Sequence, residues 1–113
     1  VLEYCDGGDL GTITYEAIKK KRNFPVEQVH SWCFQTLLAL SFMHQNNVMH
    51  RDIKPQNLLL LGETLKVADF GLAKVMSEQE KDSSARVGTL MHMAPEVRNK
   101  SSYTERADLY SVG

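Results

Sequence analysis

Apolar residues recur at helical spacing over two stretches of the chain. In the longer one, apolar side chains three and four positions apart predict an amphipathic helix from about Val26 to Gln45. A shorter helix is expected to follow Asp9, whose carboxylate can cap it, and to continue through Ile18 to about Lys21. The residues predicted to face the core from the longer helix are Val29, Trp32, Cys33, Thr36, Leu37, Leu40 and Met43.

Short apolar runs separated by turn residues predict β-structure in the middle of the chain. Residues 58–61 and 65–68 are expected to form a hairpin joined by Gly62, Glu63 and Thr64. The stretch from Ser77 to Arg86 is polar and has no period, which predicts a mobile loop.

Composition narrows the classes of partner. The chain has 113 residues and a formal net charge of −1, so nothing indicates nucleic acid or an anionic membrane as a partner. No apolar run approaches transmembrane length. The two cysteines, Cys5 and Cys33, lack metal-ligand spacing and predict reduced thiols, with a disulfide as an unsupported alternative. The expected location is the cytoplasm, with the nucleus and the cytoskeleton as alternatives.

Both ends of the sequence suggest a piece of a longer protein. The segment from Val1 to Tyr4 has the character of the tail of a buried strand. The segment from Asp108 to Gly113 is expected to begin a helix. We therefore expect the chain to be one part of a larger domain.

Four polar residues flank the predicted hairpin. Asp52, Lys54 and Asn57 precede its first strand, and Asp69 follows its second. A hairpin places the start of its first strand beside the end of its second, so these side chains are expected to converge. Carboxylate and amide oxygens are ligands that Mg²⁺ prefers, usually completed by substrate phosphates. A nearby ammonium would neutralise phosphoryl charge, and a carboxylate off the metal could accept a proton from a hydroxyl.

Three motifs carry a specific resemblance. His50-Arg51-Asp52-Ile53-Lys54-Pro55-Gln56-Asn57, Asp69-Phe70-Gly71 and Ala94-Pro95-Glu96 resemble, in order and spacing, the motif set of eukaryotic protein kinases. The resemblance covers the whole chain. It implies a partial kinase domain over residues 1–113, with a hinge at 1–9, a catalytic loop at 50–57 and an activation segment at 69–96. It also implies a protein-kinase-like α+β fold, limited to a mostly helical portion of the C-terminal lobe, with the N-terminal lobe absent.

The resemblance also implies a reaction and roles in it. The expected activity is transfer of the γ-phosphate of ATP, with Mg²⁺, to Ser or Thr hydroxyls of protein substrates. Asp52 resembles the catalytic base, and Asn57 and Asp69 resemble the two Mg²⁺ ligands. Lys54 resembles the lysine that contacts the transferred phosphate, in the serine/threonine form of the loop. Thr89 resembles the threonine that braces the base and the lysine.

A further set of residues resembles the nucleotide site. Leu2 resembles the gatekeeper, and the backbone of Glu3 and Cys5 resembles the segment that meets adenine. Asp9 resembles the acidic residue near the ribose and the substrate. Leu59 resembles the leucine beneath the adenine ring.

Two structural and regulatory expectations follow from the same resemblance. Asp108 resembles the buried helix aspartate that binds the backbone of His50 and Arg51. Arg51 resembles the arginine that binds a phosphorylated residue of the activation segment. Ser83 and Ser84 are candidates for this phosphorylation, and the alternative is that both are ordinary loop residues.

The alternatives to an active kinase are a non-catalytic, pseudokinase-like binding module and an inactive truncated product. The four polar residues around the hairpin argue against the binding module. The presence of the kinase strand lysine upstream of this chain would distinguish an active kinase from the non-catalytic binding module. Within the family, residues 4–10 are similar to the hinge of kinases related to the mitotic regulator NIMA.

Overall fold

In the described part of the chain, two helices are followed by short antiparallel strands and then by another helix, so the fold is α+β as predicted. The computed structural model describes residues 4–69, 74–75, 92–95 and 105–113. The predicted loop at 77–86 lies outside this range. No helix within it is both long enough and apolar enough to cross a bilayer. The elements are α1 (Leu10–Lys19), α2 (Val26–Gln45), β1 (Val48–Met49), a 3₁₀ turn (Pro55–Asn57), β2 (Leu58–Leu61), β3 (Thr64–Val67), β4 (Lys74–Val75) and α3 (Glu105–Val112).

Helix α1 begins where its capping residue predicts. The Asp9 carboxylate accepts the backbone N–H of Thr12 at 2.8 Å, which satisfies one of the donors that a helix leaves unpaired at its start. The helix ends at Lys19, two residues before the predicted end. The backbone turns left-handed at Lys21, with φ 52°. Ile18 is 75% exposed, so it does not belong to the buried face.

Helix α2 has the predicted bounds but a narrower buried face. Three residues predicted to face the core, Val29, Cys33 and Leu37, are exposed, so that part of the prediction is wrong. Cys33 and Leu37 lie on the helix face next to the buried residues, and Val29 lies near the start of the helix. The buried ridge is formed by Trp32, Thr36, Leu40 and Met43.

Strands β2 and β3 form the predicted hairpin with a shorter turn. Leu58 pairs with Val67 and Leu61 pairs with Thr64, so only Gly62 and Glu63 connect the strands. The prediction of a three-residue connection is therefore wrong by one residue. Gly62 has φ 60°, which glycine adopts readily and which a two-residue turn with glycine first requires.

The chain before α1 adds a third backbone segment to the hairpin, which the sequence did not predict. Gly7 N donates to Leu60 O at 2.9 Å, and Leu60 N donates to Gly8 O at 2.9 Å. A Cβ at Gly7 would lie 2.7 Å from Leu60 Cβ, so this close approach requires glycine. The pairing sets Asp9 opposite Leu59.

The side chain of Gln35 in α2 hydrogen-bonds to the backbone of the hairpin. Gln35 Oε1 accepts the backbone N–H of Leu65 at 2.7 Å, and its Nε2 donates to Glu63 O at 3.2 Å. Below the hairpin, Trp32 packs in one apolar cluster with Leu10, Leu60 and Leu65. The hairpin is thereby held against α2 at its turn end and on its apolar face.

The segment from 50 to 57 rests on a second apolar cluster. Ile53 is 2% exposed and packs with Leu40 and Met43 of α2. Directly before this segment, β1 pairs with β4 in antiparallel register, Val48 with Val75. The loop is therefore supported by buried side chains below and by short strands at its edge.

Candidate active site

Three of the four polar residues around the hairpin meet at one carboxylate oxygen. Lys54 Nζ lies 3.3 Å from Oδ2 of Asp52. Asn57 Nδ2 lies 3.2 Å from the same oxygen and 2.8 Å from the backbone carbonyl oxygen of Asp52. Asp52 and Asn57 are buried, whereas Lys54 is partly exposed. A buried carboxylate is therefore held by an ammonium and an amide, both within hydrogen-bonding range.

The 3₁₀ turn explains why Asn57 points at Asp52. It folds residues 55–57 back over the loop, with Asn57 N donating to Lys54 O at 2.9 Å. The amide nitrogen of Asn57 is committed to Asp52. Oδ1 is therefore the atom that this side chain can offer to a cation.

The hairpin brings the backbone of Asp69 to the same edge as the 3₁₀ turn. Ala68 N donates to Asn57 O at 2.8 Å, which sets the backbone of Ala68 and Asp69 beside the 3₁₀ turn. Asp69 is exposed and has φ 60°, a left-handed backbone that is uncommon outside glycine. Such backbones are retained where surrounding contacts hold them, often at functional sites.

The donor set fits Mg²⁺ better than a metal such as Zn²⁺. Among residues 4–69, 74–75, 92–95 and 105–113, no three His, Cys, Asp or Glu side chains cluster as a Zn²⁺ site would require. An amide oxygen from Asn57 and a carboxylate from Asp69 would be two hard oxygen ligands. Mg²⁺ is typically held by one or two protein ligands, with water and substrate phosphates completing the shell.

A buried carboxylate on α3 holds the backbone just before Asp52. Asp108 is fully buried, and it accepts His50 N at 2.9 Å on Oδ2 and Arg51 N at 2.8 Å on Oδ1. The predicted contact of Asp108 with this backbone is confirmed. Arg51 has φ 69°, so the two bonds hold a left-handed residue next to Asp52.

The His50 ring links the loop to the end of the hairpin. Asp52 N donates to Nδ1 of His50 at 3.2 Å, so the ring hydrogen lies on Nε2. Nε2 then donates to Ala68 O at 2.8 Å. One fully buried ring therefore joins the backbone of Asp52 to the residue before Asp69. Residue type alone did not show these two bonds.

The residues predicted for the nucleotide site are described in part. The Asp9 carboxylate caps α1, and its Oδ2 also accepts Thr12 Oγ1 at 2.9 Å. The backbone hydrogen bond from Thr12 is the main cause that lowers the pKa of Asp9. Leu59 and Cys5 are half-buried, and both cysteines are free thiols. Leu2, Glu3 and Thr89 lie outside the described residues, as do Ser83 and Ser84.

One residue of this region had no predicted role. His44 Nε2 lies 2.9 Å from Oδ2 of Asp108. Sequence pattern does not indicate this contact, because 64 positions separate the two residues.

Comparison with known proteins agrees with this geometry. Residues 1–113 match the family described as the protein kinase domain. The chain is 37% identical over 119 residues to the serine/threonine-protein kinase Nek2 of Homo sapiens. It is 42% identical over 116 residues to Nek6 of Oryza sativa subsp. japonica, and 40% over 116 to calcium-dependent protein kinase 6 of Plasmodium berghei.

These alignments include all of the chain but a small share of each relative. The chain spans 27% of Nek2, 21% of Nek6 and 8% of calcium-dependent protein kinase 6. The family match nevertheless extends from the first residue to the last. The chain belongs to the protein kinase domain family.

Proposed function

We propose that the protein carrying this chain is a serine/threonine kinase that transfers the γ-phosphate of ATP to hydroxyls of protein substrates. The observation that carries the proposal is the convergence of Lys54 and Asn57 on Oδ2 of Asp52, at 3.3 and 3.2 Å. Phosphoryl transfer depends mostly on positioning and on stabilising charge, and this cluster supplies both.

In the proposed reaction, Asp52 accepts the proton of the substrate hydroxyl. Asn57 and Lys54 orient its carboxylate, while the His50 ring and the Asp108 carboxylate hold the loop backbone on either side. The Lys54 ammonium lies beside the Asp52 carboxylate. From there it could also contact a phosphoryl group, and it would neutralise negative charge on that group. Thr89 is proposed to brace Asp52 and Lys54.

Asn57 and Asp69 are the proposed holders of Mg²⁺. Asn57 offers Oδ1 because its nitrogen is bonded to Asp52, and Asp69 offers a carboxylate at the facing strand end. When bound, Mg²⁺ neutralises charge on the phosphates. The left-handed backbone conformation of Asp69 determines the direction in which its side chain leaves the main chain.

The nucleotide is proposed to lie where the first segment crosses the hairpin. The bonds between Gly7, Gly8 and Leu60 support this, because they bring residues 5–9 alongside β2. Leu59 would lie beneath the adenine ring and Asp9 near the ribose. The backbone of Glu3 and Cys5 would meet the adenine edge, with Leu2 as the gatekeeper. Residues 1–9 would then form the hinge, 50–57 the catalytic loop and 69–96 the activation segment.

Similarity to two Nek kinases supports the hinge likeness to NIMA-related kinases. The proposed partners are ATP and a protein substrate with a Ser or Thr acceptor. We expect no nucleic-acid or membrane partner. The proposed location is the cytoplasm.

The identity of the residue that accepts the phosphate tests the proposal directly. The full-length protein is incubated with Mg²⁺ and ATP and with three peptides that differ only in a Ser, Thr or Tyr acceptor. We expect phosphate on the Ser and Thr peptides and none on the Tyr peptide. Transfer to tyrosine would contradict the serine/threonine assignment. Nucleotide binding without transfer to any peptide would indicate a binding module.

A further inference from the structure

We propose that the end of α1 forms a docking surface for an acidic peptide segment of a protein partner. The surface consists of the cations at residues 19–22 and of the groove beside them, between α1 and the start of α2. It lies at the opposite end of α1 from Asp9, roughly 15 Å away for 10 residues of helix. The inference therefore does not depend on the proposed kinase activity.

Positive charge is concentrated at this end of the helix. The four consecutive cations at residues 19–22 are all exposed, in a chain whose formal net charge is −1. Among the described residues, Lys20 is the member of this group with an ion-pair partner, Glu16 at 3.9 Å, and these two side chains are 62% and 47% exposed. Exposed pairs of this kind contribute little to stability. The segment therefore presents a locally positive surface on a chain without an overall excess of positive charge.

Backbone hydrogen bonds hold this segment in one conformation. Lys21 N donates to Ile18 O at 3.0 Å, and Arg22 N donates to Ala17 O at 2.8 Å. These two bonds form a Schellman motif, which satisfies carbonyl groups at the end of a helix. Because backbone donors already bind these carbonyls, the cationic side chains are not needed as their partners.

Lys21 stands where the backbone favours glycine. Its φ of 52° is left-handed, and a Schellman motif usually has glycine at this position because a Cβ is unfavourable there. Lysine therefore makes the turn less stable than glycine would, and what it adds at this position is its charge. A residue held in an unfavourable backbone conformation is a reason to look for a function.

The groove beside the cations has an apolar floor and a polar rim. Ile13 and Phe24 are half-buried and pack on the apolar cluster that contains Trp32. They also line a cavity of about 400 Å³. Glu16 is the acidic residue of its rim, and the two cations of the rim outnumber it. The polar residues that line the cavity are Thr12, Glu16, Lys20, Arg22, Asn23 and Gln28.

These features fit an acidic peptide better than a membrane or a nucleic acid. An apolar side chain of the peptide would lie on Ile13 and Phe24, and carboxylates on either side of it would meet Lys20 and Arg22. The apolar surface lies in a concavity, whereas a bilayer contacts a helix through an apolar face that projects outwards. A nucleic acid would need a broader positive surface than four cations on a chain with a net charge of −1.

Binding is measured by fluorescence anisotropy on the full-length protein. The probes are labelled peptides with a run of Glu around one apolar residue, either Leu, Phe or Trp, and matched peptides with Gln in place of every Glu. We expect at least one Glu peptide to bind at least about tenfold more tightly than its Gln counterpart, and to bind less tightly as salt increases. Binding of no Glu peptide, or equal binding of the two sets, would overturn the proposal.

Two matched substitutions locate the binding on the protein. Arg22→Gln removes a charge from the groove, and Arg106→Gln removes the same charge from α3, where Arg106 is exposed. We expect the affinity for the Glu peptide to fall about two- to fivefold in the first variant and to stay at the wild-type value in the second. Combining Lys20→Gln, Lys21→Gln and Arg22→Gln should lower it at least about tenfold. Equal losses in the two single variants would overturn the proposal.

Lys21→Gly separates the charge of this residue from its conformation. Glycine suits the left-handed backbone, so the urea midpoint of unfolding should rise. Loss of the charge should lower the affinity for the Glu peptide about two- to fivefold. A lower midpoint, or an unchanged affinity, would overturn the assignment of Lys21 to the docking surface.

Anionic vesicles and duplex DNA test the other classes of partner. Vesicles of phosphatidylserine are included because Tyr15 and Ile18 are also exposed on α1, at 65% and 75%. Binding to vesicles or DNA that Arg22→Gln weakens, without binding to any Glu peptide, would overturn the assignment of a peptide partner. Peptide binding requires no phosphate transfer, so this test remains decisive even if the protein shows no kinase activity.

Discussion

Asn57 donates its amide nitrogen to Asp52 twice, at 2.8 Å to the backbone carbonyl and at 3.2 Å to the carboxylate. The same side chain has its oxygen left to offer to a cation. Asn57 can therefore orient the proposed base and hold Mg²⁺ at once, through different atoms. The two tasks can be separated by substitution.

Asn57→Asp keeps an oxygen ligand and removes the donors. Its carboxylate would face the Asp52 carboxylate, and two like charges at this distance repel. We expect kcat to fall by at least about tenfold even at saturating Mg²⁺. The measurement is kcat across a Mg²⁺ titration of the full-length protein. Wild-type kcat at saturating Mg²⁺ would show that the amide nitrogen is dispensable.

Local pattern accounts for the helices and the hairpin that were predicted correctly, whereas the family resemblance predicted the contact of Asp108 with the backbone of His50 and Arg51. The period of α2 and the turn after Leu61 predicted the helix and the hairpin, and the hairpin placed Asn57 beside the segment of Asp69. The exposure of Cys33 was missed, because it depends on what packs against α2. The bond between His44 and Asp108 was missed for the same reason, since no local pattern links positions so distant.

Asp9 should make stability depend on pH at the acid end. The hydrogen bond from Thr12 lowers the pKa of the Asp9 carboxyl below its ordinary value of 3.8. The ionised cap therefore stabilises α1 fully above that value, and its contribution is lost as pH falls through the lowered pKa. The measurement is the free energy of unfolding in urea as the pH is lowered.

Two variants of Asp9 are expected to differ from wild type in the stability of the fold. Asp9→Asn keeps a capping oxygen and should weaken this acid dependence. Asp9→Ala should reduce the free energy of unfolding by about 0.5–2 kcal/mol near neutral pH. An Ala variant as stable as wild type would show that the cap contributes nothing.

Gln35 should stabilise the hairpin through its two backbone contacts. Gln35→Leu removes the partners of Leu65 N and Glu63 O, and we expect a loss of about 1–2 kcal/mol in the free energy of unfolding. Gln35→Glu keeps an acceptor for Leu65 N and should lose less. Urea denaturation of the full-length protein measures both. A larger loss in Glu than in Leu would contradict the assigned bonds.

The most direct test of the account is the turnover of Asp52→Asn in the full-length protein, measured beside its affinity for ATP. The amide is similar in size to the carboxylate but cannot accept the substrate proton. We expect kcat to fall by roughly 10²- to 10⁴-fold, with the dissociation constant for ATP within about twofold of wild type. Turnover close to wild type would contradict the assignment of Asp52 as the base, and with it the proposed reaction at this site.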